Sequence, residues 1–187
     1  MNSTKMAIFD SAIRVFSIRG YAGATMDEIA SNAGVAKGTL YYHFKSKEDI
    51  FKFIIVEGLK AIIEKLNKET EGEVNPIDKI KMLCKVQMEL VHNYKDLFKV
   101  IMSQLWGQEY RQLELRKLIK EYIENLEKYL VEGMTNGVIR KGDANFMAYS
   151  LFGSICSAVV FEMIGNESNL EEFTKSHIDF ILSGLQS

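Results

Sequence analysis

The sequence predicts an all-α protein with an N-terminal three-helix head joined by a long helix to a helical body. The 187 residues include a single proline, so long helices can run without interruption. Apolar residues recur at three- and four-residue steps along most of the chain, which is the helical period. Hydrophobic residues make up 47% and charged residues 26%, which is typical of folded globular domains. We place the head at residues 1–46 and the body at residues 47–187.

The first helix is expected to begin at Ser3 or Thr4, either of which can cap it, and to run to about Arg19. Gly20 ends this helix, because glycine readily adopts the left-handed conformation found after many helices. Four apolar residues at helical spacing form the inner stripe: Ile8, Ala12, Val15 and Phe16.

A capping box opens the second helix. Thr25 and Glu28 have the Thr-x-x-Glu spacing in which each side chain satisfies a backbone N–H of the first turn. The helix is expected at about residues 26–33, and Gly34 suits the turn that follows it. Because a second short helix begins only a few residues later, the pattern predicts a helix-turn-helix.

The second helix of this motif starts near Lys37 and places Leu40 and Phe44 on one face, four residues apart. The tyrosines beside them could be core residues and the lysines a solvated face. The surrounding helix-turn-helix favours DNA contact instead, because these side chains can donate to phosphates or reach base edges. The residues that project outward or flank the helix are Lys37, Gly38, Thr39, Tyr41, Tyr42, His43, Lys45 and Lys47.

The stretch from Thr25 to Phe51, TMDEIASNAGVAKGTLYYHFKSKEDIF, resembles the DNA-binding domain of the TetR family of transcriptional regulators. The resemblance covers about the first fifty residues. Asp27 and Glu28 are acidic where some relatives carry basic residues, so the second helix is expected to add little phosphate affinity. The resemblance implies a phosphate contact by Thr25 and operator contacts by Lys37, Gly38, Thr39, Tyr41, Tyr42, His43 and Lys47.

Charge is distributed unevenly along the chain. Residues 1–47 carry six lysines and arginines against three acids, although the whole chain has a formal net charge of −2. A mildly basic head on an acidic body suits a protein whose body stays away from the duplex.

The connecting helix is expected to start after Ser46 and to reach about Lys68, with an unbroken apolar ladder. We interpret it as the element that transmits a signal between body and head. Body helices are then expected at about residues 76–94, 96–106 and 109–136, after an Asp143 cap, and after an Asn169 cap.

Aromatic and methionine side chains are frequent in the body, and such side chains suit an adaptable apolar cavity. Stripes of this kind are more often plain core, so the case for a ligand rests on their number and on the resemblance, which implies an inducer pocket. Few charges interrupt the stripes, so the effector is expected to be small, apolar, and neutral or singly charged. The expected ligand-binding residues are Met88, Phe98, Met102, Trp106, Tyr122, Tyr129, Tyr149 and Phe152.

A homodimer is expected, because one helix-turn-helix makes few base contacts and two heads read a palindrome. The resemblance implies that the last two helices of each chain pair into a four-helix interface. The residues expected there are the small Gly153, Ser154, Ser157 and Ala158 and a final-helix stripe of Phe173, His177, Phe180 and Ile181.

Catalytic, metal and cofactor sites are not indicated. Cys84 and Cys156 have no metal-ligand spacing and read as small hydrophobes in a reducing cytoplasm. Residues 144–161 carry no formal charge, but their serine and asparagine content favours a buried helix over a membrane span.

Two functional hypotheses follow. The first is a cytoplasmic, dimeric regulator, most simply a repressor, which binds palindromic operator DNA and is released by an apolar effector. The alternative is an all-helical enzyme or carrier for a lipid-like molecule, with an unused head.

Overall fold

The computed structural model describes residues 2–164 and 169–185, and within them every regular element is a helix. The all-α prediction is therefore confirmed. The helices are α1 (Ser3–Gly23), α2 (Met26–Asn32), α3 (Lys37–His43), α4 (Lys47–Thr70), α5 (Pro76–Asn93), α6 (Lys95–Ser103), α7 (Tyr110–Thr135), α8 (Ala144–Ile164) and α9 (Leu170–Leu185).

Most of the expected caps are present. Thr25 and Glu28 form the complete capping box of α2. Asn75 accepts from the backbone of Ile77 at the start of α5, and Asp143 accepts from Phe146 N at 3.1 Å at the start of α8. The cap of α1 differs from the prediction, because Asn2 Oδ1 accepts from Lys5 N at 2.9 Å.

Gly20 interrupts α1 as its sequence context predicts. Its φ of 69° lies in the left-handed region, and a short helical segment continues beyond it to Gly23. Gly34 has a φ of 67° and makes the turn between α2 and α3.

The chain forms two compact units whose limits differ from the expected division at residue 46. The first unit comprises residues up to Lys60 together with Asp96–Leu118, and the second comprises Ala61–Lys95 together with the residues from Ile119 onward. Within the first unit, α4 and α6 approach each other closely at Gly58. A β-carbon at Gly58 would lie 2.8 Å from Leu97 Cδ2, so glycine permits this approach.

In the first unit, α2 packs on both α1 and α3. The Ser11 hydroxyl donates to Ile29 O at 2.7 Å and so satisfies a buried polar pair between α1 and α2. The apolar core beneath includes Ile8, Ala12, Phe16, Ile29, Leu40, Phe44, Phe51 and Ile54.

In the second unit, α5 is central and packs against α8 and α9. Its buried residues include Ile80, Leu83, Cys84, Met88 and Val91. Residues from one end of α9 also close the loop after α7, since Arg140 N donates to Leu185 O at 2.9 Å.

Candidate DNA-binding and effector sites

Helix α3 presents the predicted DNA-contacting face to solvent. Leu40 is fully buried and Phe44 is 6% exposed, and together they fix the inner face of the helix. On the outer face Tyr42 is 78% exposed and its ring lies 5.1 Å from the ring of His43. The predicted residues are exposed at Thr25, Lys37, Gly38, Tyr41 and Tyr42 and half-buried at Thr39, His43 and Lys47.

Gly38 is not required by the packing of the head. A β-carbon built on it would meet no atom within 4 Å among the residues that the structure describes. Because its backbone is helical, the position needs no left-handed conformation either. The packing and backbone of the head therefore do not explain a glycine at this position.

The lysines on this side of the head all have internal acceptors. Lys37 Nζ lies 2.8 Å from Asp27 Oδ1, and the two side chains are 62% and 63% exposed. Lys45 Nζ donates to Tyr41 O at 3.1 Å. Lys47 Nζ donates to Ala24 O at 2.9 Å and to Ala22 O at 3.2 Å, so it bridges the end of α1 to the start of α4.

Tyr21 is buried and its ring contacts two cations, a feature that the sequence does not reveal. Lys47 Nζ lies 4.7 Å from the centroid of the tyrosine ring, and the Arg111 guanidinium carbon lies 3.9 Å from it. Burial raises the pKa of the Tyr21 hydroxyl and the nearby Glu48 carboxylate raises it further, so the phenol stays neutral. The first turn of α7 is thereby attached to the head.

The second unit contains a small crevice that is apolar at its base and polar at its rim. Its volume is about 170 Å³. Leu66, Leu83, Tyr122 and Leu126 form the buried base. The rim residues are Ile63, Asn67, Asn125, Lys128 and Tyr129.

A buried polar pair lies behind the wall of this crevice. Gln87 Nε2 donates to the Tyr122 hydroxyl, and both residues are 6% exposed. Burial raises the pKa of Tyr122, while the hydrogen bond from Gln87 lowers it. The amide therefore fixes a neutral tyrosine ring in place. The polar Gln87 among the apolar residues of α5 is the signal that sequence reasoning could have used.

The predicted ligand-binding residues are divided between the two units. Phe98, Met102 and Trp106 belong to the first unit, whereas the other five belong to the second. Trp106 is 81% exposed and Tyr149 is 48% exposed, so neither lies inside an apolar cavity of the protomer. Tyr122 and Tyr129 line the crevice, and the rings of Tyr122 and Phe152 lie 6.4 Å apart. Met88 is buried in the core.

The outer face of α8 is apolar and uncovered in the protomer. Helix α8 is long and apolar enough to cross a membrane, and 33% of its apolar window is buried. Its most exposed large side chains are Phe146 at 70% and Ile164 at 78%. Gly153 and Ser157 are exposed and Ser154 is half-buried.

Two residues expected at the dimer interface are instead buried within the protomer. Ala158 is 1% exposed and Ile181 is 8% exposed, so both side chains point into the protomer and offer no surface to a second copy. Phe180, in contrast, is 75% exposed. His177 and Phe173 are half-buried, and His177 Nε2 lies 3.3 Å from Ser154 Oγ.

The scattered histidines and cysteines do not assemble. Among the described residues there is no cluster of three side chains able to hold a metal ion. Glu89 pairs with Lys65, and His92 Nδ1 lies 3.1 Å from Glu162. Burial raises the pKa of the Cys84 thiol to about 12, which leaves it protonated and unreactive.

Comparison with known proteins covers almost the whole chain. Residues 8–54 match the family model of bacterial regulatory proteins, tetR family, and residues 55–184 match that of the YsiA-like protein, C-terminal region. The fatty acid metabolism regulator protein of Bacillus subtilis (strain 168) is 30% identical over 190 residues, which cover 97% of this chain and 95% of that protein.

Solved structures agree with this assignment. A protein of Clostridium perfringens, provisionally named as a fatty acid metabolism regulator, is 49% identical with a TM-score of 0.90, over 95% of this chain and 97% of that one. The transcriptional regulator FadR from Bacillus subtilis in complex with stearoyl-CoA is 25% identical with a TM-score of 0.86, over 96% of this chain and 98% of that one. The chain therefore belongs to the tetR family of bacterial regulatory proteins and is a DNA-binding transcriptional regulator.

Proposed function

We propose that the protein is a homodimeric repressor that binds palindromic operator DNA through α3 and is released by a fatty acyl-CoA. The repressor acts in the bacterial cytoplasm, where its operator lies. The alternative of a lipid carrier with an unused head is not favoured, because the relatives that match both head and body are named as regulators.

The exposed face of α3 is the observation that carries the DNA-binding part. A helix anchored by buried Leu40 and Phe44 holds Tyr42 and Lys37 outward on a rigid head. Helices presented in this way enter the major groove, where lysine can bind guanine and hydroxyls can bind phosphates. Thr25 at the start of α2 donates its hydroxyl to Glu28 Oε2 at 3.1 Å in the free protein, and a contact with a flanking phosphate would replace that hydrogen bond.

The uncovered face of α8 supports the dimer. Exposed apolar side chains such as Phe146 and Ile164 are costly in water, and exposed Gly153 and Ser157 let a second helix come close. Phe180 on α9 is likewise apolar and exposed. Two heads joined through such a surface would read half-sites about 34–36 Å apart.

The crevice in the second unit supports an acyl ligand. Its leucine base suits a hydrocarbon chain, and Lys128, Asn67 and Asn125 at its rim suit polar or anionic groups. Its volume of about 170 Å³ is below the roughly 300–1,000 Å³ of ordinary ligand pockets, so a long chain would have to displace side chains. An acyl-CoA has several charges on its phosphates, so the expectation of a neutral or singly charged effector is replaced.

The test begins with a duplex that the wild-type protein selects from a random-sequence pool. Tyr42→Ala should weaken binding to this duplex without lowering the melting temperature, because Tyr42 is 78% exposed. Acyl-CoAs with chains of increasing length are then titrated into the complex, with free coenzyme A as the control. Release of DNA by acyl-CoA but not by free coenzyme A is expected.

Two further variants separate the parts of the proposal. Lys128→Glu should raise the acyl-CoA concentration needed for release, whereas Lys120→Glu makes the same charge change on α7 outside the crevice. Gly153→Arg should convert the dimer to a monomer in sedimentation analysis. Failure of every acyl-CoA to release DNA would refute the effector part and leave the DNA-binding part standing.

A further inference from the structure

The Asp27–Lys37 pair joins α2 to the first residue of the predicted recognition helix. Lys37 Nζ lies 2.8 Å from one Asp27 oxygen and 2.9 Å from the other, so the ammonium bridges both oxygens of the carboxylate. The contact is solvent-exposed, with both side chains more than half accessible. Because Lys37 is the first residue of α3, the pair lies beside the face that is proposed to bind DNA.

Lys37 differs in this respect from the other lysines on this side of the head. Lys45 and Lys47 donate to backbone carbonyl oxygens, which carry no net charge. Lys37 is held by a full negative charge, and hydrogen bonding to Asp27 raises the pKa of its ammonium group. Lys37 remains protonated, but in the free head its charge is neutralised by Asp27.

This neutralisation has a direct consequence for binding to DNA of any sequence. Such binding is driven by lysines and arginines that displace counterions from phosphates. Each phosphate contact makes the slope of log affinity against log salt concentration steeper by about 0.9. If Lys37 moves to a phosphate, Asp27 is left unpaired beside a polyanion. Lys37 is therefore a poor phosphate ligand as long as Asp27 is present.

We propose that Asp27 is a specificity-determining residue. It keeps Lys37 in the ion pair on nonspecific DNA, and Lys37 leaves the pair only where the operator offers a base acceptor. Guanine offers two such acceptors, O6 and N7, in the major groove. On this proposal, a base contact would leave Lys37 Nζ near Asp27 at the start of α3, whereas a phosphate contact would separate the pair. This inference rests on the proposed binding of DNA through α3.

The test compares Asp27→Asn with Asp10→Asn. Asp10 is an exposed acid on α1 of the same head, and the structure shows no contact between it and any of the head lysines described above. Both substitutions raise the net charge by one. Affinity is measured for the duplex selected by the wild type and for a mixed-sequence duplex of equal length, at several salt concentrations.

Asp27→Asn should tighten binding to the mixed-sequence duplex about two- to fivefold, as expected for loss of an exposed ion pair. On that duplex, the slope of log affinity against log salt concentration should become steeper by about 0.9, which corresponds to one new phosphate contact. Affinity for the selected duplex should rise less, so the ratio of specific to nonspecific affinity falls. Asp10→Asn should leave that ratio unchanged.

The double variant Asp27→Asn/Lys37→Ala isolates the lysine. Removing Lys37 should abolish the gain on mixed-sequence DNA, because the gain comes from the released ammonium group. Equal effects of the two aspartate substitutions, or a gain that survives without Lys37, would overturn the inference. If the wild type enriches no sequence, the proposed function fails, while the mixed-sequence measurements still decide whether Asp27 restrains Lys37.

Discussion

Replacing Arg111 with methionine should destabilise the first unit. The arginine side chain is 13% exposed, its guanidinium carbon lies 3.9 Å from the Tyr21 ring centroid, and its Nε donates to Gln104 Oε1 at 3.2 Å. Methionine retains the apolar stem and removes only the cation and its donors. The change therefore tests the charge and not the packing.

The expected loss is moderate. A cation–π contact shielded from water contributes about 2 kcal/mol, and a hydrogen bond from a charged donor contributes about 1.5–3 kcal/mol. The ion pair between Arg111 and Glu109 adds little, because the Glu109 side chain is 67% exposed. Since these contributions overlap on one side chain, we expect a total of about 1–3 kcal/mol.

Urea denaturation at fixed protein concentration measures the change. With an m-value of about 2–3 kcal/mol/M, the midpoint should fall by roughly 0.3–1.5 M without a change in m. Arg14→Met, at an exposed position on α1, is the matched control and should shift the midpoint little. The Arg111→Met cost should also shrink in a Tyr21→Leu background. A cost equal to that of Arg14→Met, or one independent of Tyr21, would refute the reasoning.

Three further outcomes are expected. Burial lowers the pKa of His177, so the unfolded chain binds more protons than the native protein below about pH 6.5. The melting temperature should therefore fall as the pH drops from 7.5 to 5.5, and it should fall less in His177→Asn. Thr25→Ala removes the oxygen that accepts from Glu28 N at 3.1 Å and should lower the free energy of unfolding by about 0.5–2 kcal/mol. Thr39→Ala, at a half-buried position on α3, is the control because it removes no cap. Gln87→Leu leaves the buried Tyr122 hydroxyl without a hydrogen-bond donor and should lower the free energy of unfolding by about 1–3 kcal/mol. The double variant Gln87→Leu/Tyr122→Phe should recover much of this loss. A double variant less stable than Gln87→Leu would show that the loss does not come from the unpaired hydroxyl.

The elements that sequence reasoning placed correctly are those governed by local chemistry. The capping box of α2 and the left-handed Gly20 and Gly34 depend on a few neighbouring residues, so their spacing suffices to identify them. The outward face of α3 follows from the four-residue separation of Leu40 and Phe44.

The features that it missed depend on residues far apart in sequence. Tyr21 and Arg111 are ninety positions apart, and nothing in either neighbourhood indicates that they stack. Helical spacing also cannot tell which side of a uniformly apolar helix faces inward. For this reason the sequence pattern predicts Ala158 at the interface, although this residue is 1% exposed and faces into the protomer.

The discontinuous composition of the first unit affects how the chain folds during synthesis. Ribosomes add roughly 5–20 residues each second, and α1 to α3 emerge first. Asp96–Leu118, which belongs to the same unit and includes Arg111, is translated later by several seconds on that scale. The N-terminal part of the unit is therefore synthesised before its later partner, and until then part of its contact surface stays accessible to chaperones. Because the unit is made of two separate segments, no single truncation of the chain would yield it intact.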